Sequence, residues 1–151
     1  MRIAAAERLT RDFGEGHWSA HTNEAAVLRD LKASRVLAAR DGTAIVGTLT
    51  LQTRKPWAID ASYFKPCQKA LYLINMAVAP DHQRSGVGRA LLAEALVLAR
   101  AFPADAIRLD AYDAPAGAGG FYRKCGYMLA GGKVFRGVPL LYFELRTGVE
   151  R

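Results

Sequence analysis

Residues 74–92 read INMAVAPDHQRSGVGRALL, which is an apolar strand, a proline, a basic glycine-rich turn and the start of an amphipathic helix. Gly86 and Gly88 lack a Cβ atom, so the main chain can lie close to a phosphate there. The first N–H groups of a helix have no partner within it, and they carry the positive end of its dipole. Arg84 and Arg89 can add charge-assisted hydrogen bonds. The stretch therefore predicts an anion-binding turn between a strand and a helix.

The turn resembles the pyrophosphate-binding motif of the GNAT superfamily of acyl-CoA-dependent N-acyltransferases. That motif has the pattern Gln/Arg-x-x-Gly-x-Gly/Ala after a strand that ends in Val-x-Pro, and here it reads Gln83-Arg84-Ser85-Gly86-Val87-Gly88. A P-loop would need a Gly-Lys-Ser/Thr ending, and a dinucleotide fingerprint needs three glycines at wider spacing with a downstream acid. The turn matches neither of these two phosphate-binding motifs.

A second resemblance lies downstream, where residues 118–127 read AGGFYRKCGY. This is similar to the family's Ala-x-x-x-Tyr-x-x-x-Gly-Phe/Tyr signature, which spans a short helix and the strand after it. Both motifs occur in the family's order, and the resemblance covers about residues 34–147. It implies acetyl-CoA as co-substrate, with no metal. The residues that it places at the cofactor are Met76, Ala77, Val78, Gln83, Arg84, Ser85, Gly86, Val87, Gly88, Arg89, Ala118 and Tyr122.

The residue patterns and the resemblance together predict an α+β fold in one domain over residues 1–151. The implied sheet is mixed and mostly antiparallel, with six to seven strands, a splay between the fourth and fifth, and helices on both faces. The sequence leaves open whether the family's first strand is present. Predicted strands after that position are 34–40, 44–53, 71–78, 106–112, 127–135 and 140–146, and predicted helices are 4–12, 23–33, the stretch after Gly86, and 117–125.

The resemblance implies direct attack of a primary amine on the thioester in a ternary complex. Tyr122 matches the family's tyrosine that points toward the sulfur of coenzyme A, so it is expected to protonate the departing thiolate. The alternative is that Phe121 and Tyr122 are core aromatics. The backbone of Met76 to Val78 is expected to donate to the oxyanion, since a bulge in this strand would leave an N–H unpaired.

The general base is open, because the glutamate that many family members carry in the fourth strand is absent from Tyr72-Leu73-Ile74-Asn75. Asn75 could hold a water that relays the proton, or it could be a satisfied strand-end amide. Asp60 could reach the site from the long loop before that strand, or it could be a solvated loop acid.

The same loop, residues 54–66, is the expected wall of the acceptor site, because it holds aromatic side chains and a carboxylate between helix breakers. Its aromatic side chains could contact a substrate or could plug the edge of the sheet. They are Trp57, Tyr63 and Phe64.

Composition limits the choice of partners. The 151 residues carry a formal charge of +7, which suits an anionic ligand such as coenzyme A. Basic residues are spread singly or in pairs, which argues against a dedicated nucleic-acid module. The sequence has no apolar run of the ~18 residues that a membrane span needs. Its first residues lack the apolar segment of a signal peptide, so the cytoplasm is the expected location.

The acceptor is expected to be a small amine, an amino acid derivative or a peptide amine. Two other classes stay open: a non-catalytic acyl-CoA sensor, and an acetyltransferase that acts on a macromolecular amine, protein or RNA-linked. A homodimer also stays open, because the family often dimerises.

Overall fold

The structure is a computed structural model of the chain and describes residues 34–150. The helices predicted at 4–12 and 23–33, and the question of a first strand, lie outside these residues. The strands are β1 (Arg35–Asp41), β2 (Ala44–Gln52), β3 (Ala70–Val78), β4 (Ala106–Tyr112), β5 (Met128–Phe135) and β6 (Val138–Arg146). The α-helices are α1 (Val87–Ala101) and α2 (Gly119–Lys124), and 3₁₀ turns cover Ala61–Tyr63 and Pro80–His82.

The six strands form one sheet in the order β1-β2-β3-β4-β6-β5. Strands β1 and β2, β4 and β6, and β5 and β6 pair antiparallel, whereas β3 and β4 pair parallel. Each predicted strand overlaps an observed one, and no strand end differs by more than two residues. The predicted α+β class with an open, mostly antiparallel sheet is therefore confirmed.

The parallel pairing is short. It joins Ala70–Tyr72 to Ala106–Arg108, which is only the first part of β3 and of β4. These are the predicted fourth and fifth strands.

Helix α1 follows the glycine turn and is amphipathic. Its apolar residues Leu91, Leu92, Ala95 and Ala99 recur at helical spacing, and all four are buried. No helix among residues 34–150 is both long and apolar enough to cross a membrane.

The chain divides into two compact units. Of the described residues, the first unit contains 34–52 and 73–95, and the second contains 53–72 and 96–150. In the second unit, the side chains of the long loop and the sheet form one apolar cluster, made of Ile59, Phe64, Tyr72, Leu140 and Tyr142.

Packing in the first unit brings the start of α1 against β2 at Gly47. A Cβ atom on Gly47 would lie 2.7 Å from Cγ1 of Val87 and 2.9 Å from Cδ1 of Leu91. Real Cβ atoms do not approach other atoms so closely, so only glycine allows this contact. The first residue of α1 is thereby fixed over the hairpin of β1 and β2.

Candidate active site

The predicted anion-binding turn lies between the end of β3 and the start of α1. Its backbone reverses at two residues with positive φ, Arg84 at 62° and Gly86 at 91°. A Cβ atom on Gly86 would meet nothing within 4 Å, so this face of the turn is open. Arg84 and Arg89 are both exposed and bring positive charge to the turn.

Hydrogen bonds within the turn hold its shape. The side-chain amide of Gln83 donates to the carbonyl of Val78 at 3.1 Å, and the Ser85 hydroxyl donates to the carbonyl of His82. The Gln83 side chain is thus used to tie the turn to β3. The first helical bond of α1 runs from the N–H of Ala90 to the carbonyl of Gly86 at 3.0 Å. The N–H groups just before Ala90 therefore fit an anionic group such as a diphosphate.

Strand β3 changes conformation at Asn75, where φ is 55°. Asparagine tolerates this left-handed conformation better than most residues, whereas apolar neighbours such as Ile74 would not. The three residues after it, Met76, Ala77 and Val78, are half-buried. A local departure from extended backbone is what the predicted bulge needs, and it directly precedes the amides expected to face the oxyanion. Asn75 lies within β3, not at its end.

In the second unit, Tyr122 projects from α2 into an aromatic cluster. Its ring centroid lies 5.4 Å from that of Phe121, 5.7 Å from that of Tyr127 and 6.1 Å from that of Phe143. Only 7% of Tyr122 is exposed. Burial, with smaller contributions from the charges of Asp110 and Cys125, raises the pKa of Tyr122 far above its ordinary value. The phenol therefore keeps its proton at neutral pH.

Gly126 follows helix α2 directly after its C-cap, Cys125. Its φ is 91°, which is the left-handed conformation that glycine adopts without strain. The strand that follows starts after Tyr127, whose N–H donates to the carbonyl of Tyr122 at 3.1 Å. This return of the chain places the two tyrosine rings edge to face.

Tyr127 is buried without a described partner for its hydroxyl. Only 2% of the residue is exposed, and its oxygen makes no hydrogen bond among residues 34–150. Tyr122 and Tyr127 thus form a pair of buried phenols, and the Tyr127 hydroxyl can be removed without breaking a described bond.

Asp60 caps the 3₁₀ turn Ala61–Tyr63. One carboxylate oxygen accepts from the N–H of Ser62 at 3.0 Å and from its hydroxyl at 2.6 Å, and the other accepts from Nζ of Lys133 at 2.9 Å. The bonds to Ser62 and Lys133 hold the pKa of Asp60 well below its usual range. A carboxylate with these bonds is a weaker base than a solvated one, so the geometry opposes the base role predicted for Asp60.

The aromatic residues of the long loop differ in their surroundings. Phe64 is buried in the cluster with Tyr142, and Tyr63 lies edge to face with Tyr142 at 5.2 Å between centroids. Trp57, in contrast, is 80% exposed. Of the two roles that the sequence left open, the packing role fits Phe64, and Trp57 is free to contact another molecule. Within residues 34–150 no group of three or more His, Cys, Asp or Glu side chains could hold a metal ion.

Comparison with known proteins identifies the family. The model of the acetyltransferase (GNAT) family matches residues 3–127, which is most of the chain. The chain belongs to the GNAT family. The curated proteins give no match.

Solved GNAT structures share this fold. One is nourseothricin acetyltransferase, which is 25% identical with a TM-score of 0.60 over 76% of this chain and 66% of that chain. A candidate streptothricin acetyltransferase from Bacillus anthracis str. Ames, in complex with acetyl coenzyme A, is 21% identical with a TM-score of 0.61 over 76% of this chain and 62% of that chain. This chain therefore spans only 66% and 62% of their lengths. Aminoglycoside 6′-N-acetyltransferase, complexed with coenzyme A, is 15% identical with a TM-score of 0.66 over 99% and 91% of the two chains.

The residues predicted for the GNAT site fall into two groups. In the first unit, the turn and the end of β3 bring together Asn75, Met76, Ala77, Val78, Gln83, Arg84, Ser85, Gly86, Val87, Gly88 and Arg89. The second unit holds Asp60, Ala118 and Tyr122, of which Ala118 is the N-cap of α2.

Arg108 is a buried residue of this GNAT domain that the sequence reading missed. Its Nε donates to Glu144 at 2.8 Å, a terminal nitrogen donates to the carbonyl of Lys65 at 2.8 Å, and its guanidinium lies 4.6 Å from the ring centroid of Phe64. Burial alone would lower the pKa of Arg108, but hydrogen bonds to Glu144 and Tyr72 outweigh it, so that the pKa is raised. Arg108 thus anchors the long loop to β4. The feature of the sequence that could have indicated this role is an arginine within the mostly apolar strand Ala106–Tyr112.

Proposed function

We propose that this protein transfers the acetyl group of acetyl-CoA to a primary amine of a small molecule, by direct attack within a ternary complex, and that residues 1–151 act as one catalytic domain. The observation that carries the proposal is the turn of Gln83 to Arg89 in a chain of the GNAT family. This turn has an open glycine face, two exposed arginines and helix N–H groups before Ala90 for which residues 34–150 provide no described hydrogen bond. Acetyl-CoA supplies an activated acyl group, and the chain supplies binding, orientation and proton transfer.

Each step has a proposed residue. The N–H groups and arginines of the turn bind the diphosphate, and the backbone after Asn75 donates to the developing oxyanion at Met76 to Val78. Tyr122 donates to the departing sulfur. Because its pKa is raised, Tyr122 stabilises the thiolate chiefly as a hydrogen-bond donor, and complete proton transfer follows from a water or the solvent.

For the base we propose a water held at Asn75. Two features support this choice: the unusual backbone of Asn75 in β3, and the bonds that occupy both carboxylate oxygens of Asp60. If the proton passes through such a water, replacing Asp60 with asparagine should leave the pH dependence of kcat unchanged.

The proposed acceptor class is a cationic small molecule with a primary amine. The names of the compared structures support this class, because they include enzymes for nourseothricin, streptothricin and an aminoglycoside. The exposed ring of Trp57 offers an apolar contact for such an acceptor.

The test combines thiol release from acetyl-CoA with mass spectrometry of the product, over a panel of aminoglycosides, streptothricins, amino acid derivatives and short peptides. We expect amine-dependent thiol release and a product with one added acetyl group on nitrogen. Tight binding of acetyl-CoA in calorimetry with no release by any amine would support a sensor instead. Release only with a protein or RNA-linked amine would support the macromolecular alternative.

Replacing Gly86 with alanine should weaken acetyl-CoA binding. An alanine at a φ of 91° is strained by about 1–2 kcal/mol. The turn of the free variant can relax, and binding must then restore its shape, so the Kd should rise about tenfold. Calorimetry with acetyl-CoA measures the change.

Gly137 provides the matched control. Its φ is 80°, a Cβ atom there would also meet nothing within 4 Å, and it lies in the turn between β5 and β6. Gly137→Ala makes the same change in a turn that is not proposed to bind the anion, so it should leave the Kd unchanged. Equal Kd values for the two variants would contradict the role of the Gly86 turn.

A further inference from the structure

A contact outside the glycine motif reaches the turn from the first hairpin. Nε2 of His82, the last residue of the 3₁₀ turn Pro80–His82, lies 3.1 Å from Oδ2 of Asp41, the last residue of β1. About a third of the His82 side chain is exposed, against 72% of Asp41. The other ring nitrogen, Nδ1, is buried and has no hydrogen-bond partner among residues 34–150.

The chemistry of the pair fixes where the proton lies. An ionised carboxylate only accepts hydrogen bonds, so Nε2 of His82 must carry the hydrogen of this bond. Because Nδ1 has no described partner, the bond to Asp41 is the one described polar contact of the ring. It therefore sets the orientation of the imidazole.

The backbone of His82 is joined to the rest of the turn. Its N–H donates to the carbonyl of Ala79 at 2.9 Å, and its carbonyl accepts from the hydroxyl of Ser85. Ser85 directly precedes Gly86, where the open face of the turn begins. The backbone of His82 is thus bonded to the segment that leads into the N–H groups proposed to bind the anion.

The hairpin also supports the turn on either side of His82. Before it, the N–H of Ala79 donates to the carbonyl of Val46 in β2 at 2.8 Å. After it, Val87 and Leu91 of α1 pack against Gly47 of the same strand. The bond of Asp41 to His82 completes this support in the middle of the turn.

We propose that Asp41 and His82 are a positioning pair, which holds the anion-binding turn in the shape that the diphosphate of acetyl-CoA requires. The inference rests on the proposed function, because it takes acetyl-CoA as the ligand of the turn. A carboxylate near an anion site opposes anion binding through its charge. Asp41 can therefore favour binding only through the geometry that it imposes on His82. If it acts through its charge, its removal lowers the Kd of acetyl-CoA; if it acts through geometry, its removal raises the Kd.

The test measures the Kd of acetyl-CoA by calorimetry for Asp41→Ala. Loss of one side-chain hydrogen bond should raise the Kd about three- to tenfold. The KM for acetyl-CoA should rise with it, while kcat and the KM for the amine stay unchanged. Asp41→Asn should restore part of the affinity, because its amide oxygen can still accept from Nε2.

Asp81 is the matched control, since it is an exposed carboxylate of the same turn. Asp81→Asn removes a negative charge near the anion without removing a described bond, so the Kd should stay the same or fall slightly. A double-mutant cycle of Asp41→Ala and His82→Ala should show non-additive changes in Kd.

Two results would overturn the positioning pair: a Kd for Asp41→Ala equal to or lower than that of the wild type, or strictly additive changes in the cycle. Both leave the proposed function intact. Absence of acetyl-CoA binding by the wild-type protein would instead overturn the proposed function. Thermal unfolding gives the melting transition of each variant. The Kd values are measured below all of these transitions, so that a loss of affinity is not caused by unfolding.

Discussion

Tyr122→Phe should lower kcat about 100-fold, because the variant loses the hydrogen bond to the departing sulfur in the transition state. The KM for acetyl-CoA should change little, since the phenylalanine ring fills the same place among Phe121, Tyr127 and Phe143. Steady-state rates of thiol release, measured with a saturating amine, give both constants. A loss in kcat without a loss of binding assigns the hydroxyl to the chemical step.

Tyr127→Phe is the control for this measurement. It removes a hydroxyl from a neighbouring buried ring that makes no described hydrogen bond. A buried polar group without a partner costs about 1–3 kcal/mol, so the control should unfold at the same temperature as the wild type or a higher one. Its kcat should stay close to that of the wild type. Near-normal turnover of Tyr122→Phe, or an equal loss in Tyr127→Phe, would contradict the role of Tyr122.

The pH dependence gives a further check on Tyr122. Its pKa is raised in the folded protein, mainly by burial, so the phenol keeps its proton beyond the ordinary tyrosine value of about 10. Any loss of kcat between neutral pH and that value must come from another group. The same alkaline limb should therefore appear in the residual activity of Tyr122→Phe.

The local parts of the fold could be predicted because local patterns determine them. Apolar runs predict the strands, and an Asp-Gly pair such as Asp41-Gly42 is typical of a hairpin turn, where Gly42 has a φ of 60°. A glycine is also typical of the residue that follows a helix, and Gly126 has the positive φ, 91°, that most other residues avoid. The glycine turn after β3 could be read in the same way.

The side-chain pairs could not be predicted, because their partners are distant in the chain. Asp41 and His82 are 41 residues apart, Arg108 and Glu144 are 36 apart, and Asp60 and Lys133 are 73 apart. Composition alone does not tell which acid meets which base. This is why the sequence leaves Asp60 open as a general base or a solvated loop acid, whereas the folded chain uses it as a cap and an ion-pair partner.

The same limit applies to the aromatic residues of the long loop. Trp57 and Phe64 are both large and apolar, yet one is exposed and the other is buried. The two side chains differ in their contacts with Arg108. Its guanidinium lies over the ring of Phe64 and donates to the carbonyl of Lys65, next to Phe64 in the chain. This buried guanidinium therefore fixes one end of the loop, while Tyr142 and Lys133 hold it at Ala58 and Asp60.

Arg108→Met should be the most destabilising substitution in this set. The Arg108 and Glu144 side chains are only 7% and 13% exposed, and removing one partner of a buried ion pair typically costs about 3–5 kcal/mol. Arg146 lies 3.5 Å from the other carboxylate oxygen of Glu144 and compensates in part. The free energy of unfolding, measured in urea, should therefore fall by about 3 kcal/mol, a large part of the 5–15 kcal/mol typical of a domain.

The double variant Arg108→Met with Glu144→Leu separates the charge from the packing. If the loss arises from an unpaired carboxylate, the double variant should regain most of it, since two apolar side chains replace the ion pair. Limited proteolysis within residues 54–66 should still be faster than in the wild type, because the carbonyl of Lys65 has lost its donor. A double variant no more stable than Arg108→Met would locate the cost in the lost anchor. Stability unchanged in the single variant would show that the ion pair contributes nothing.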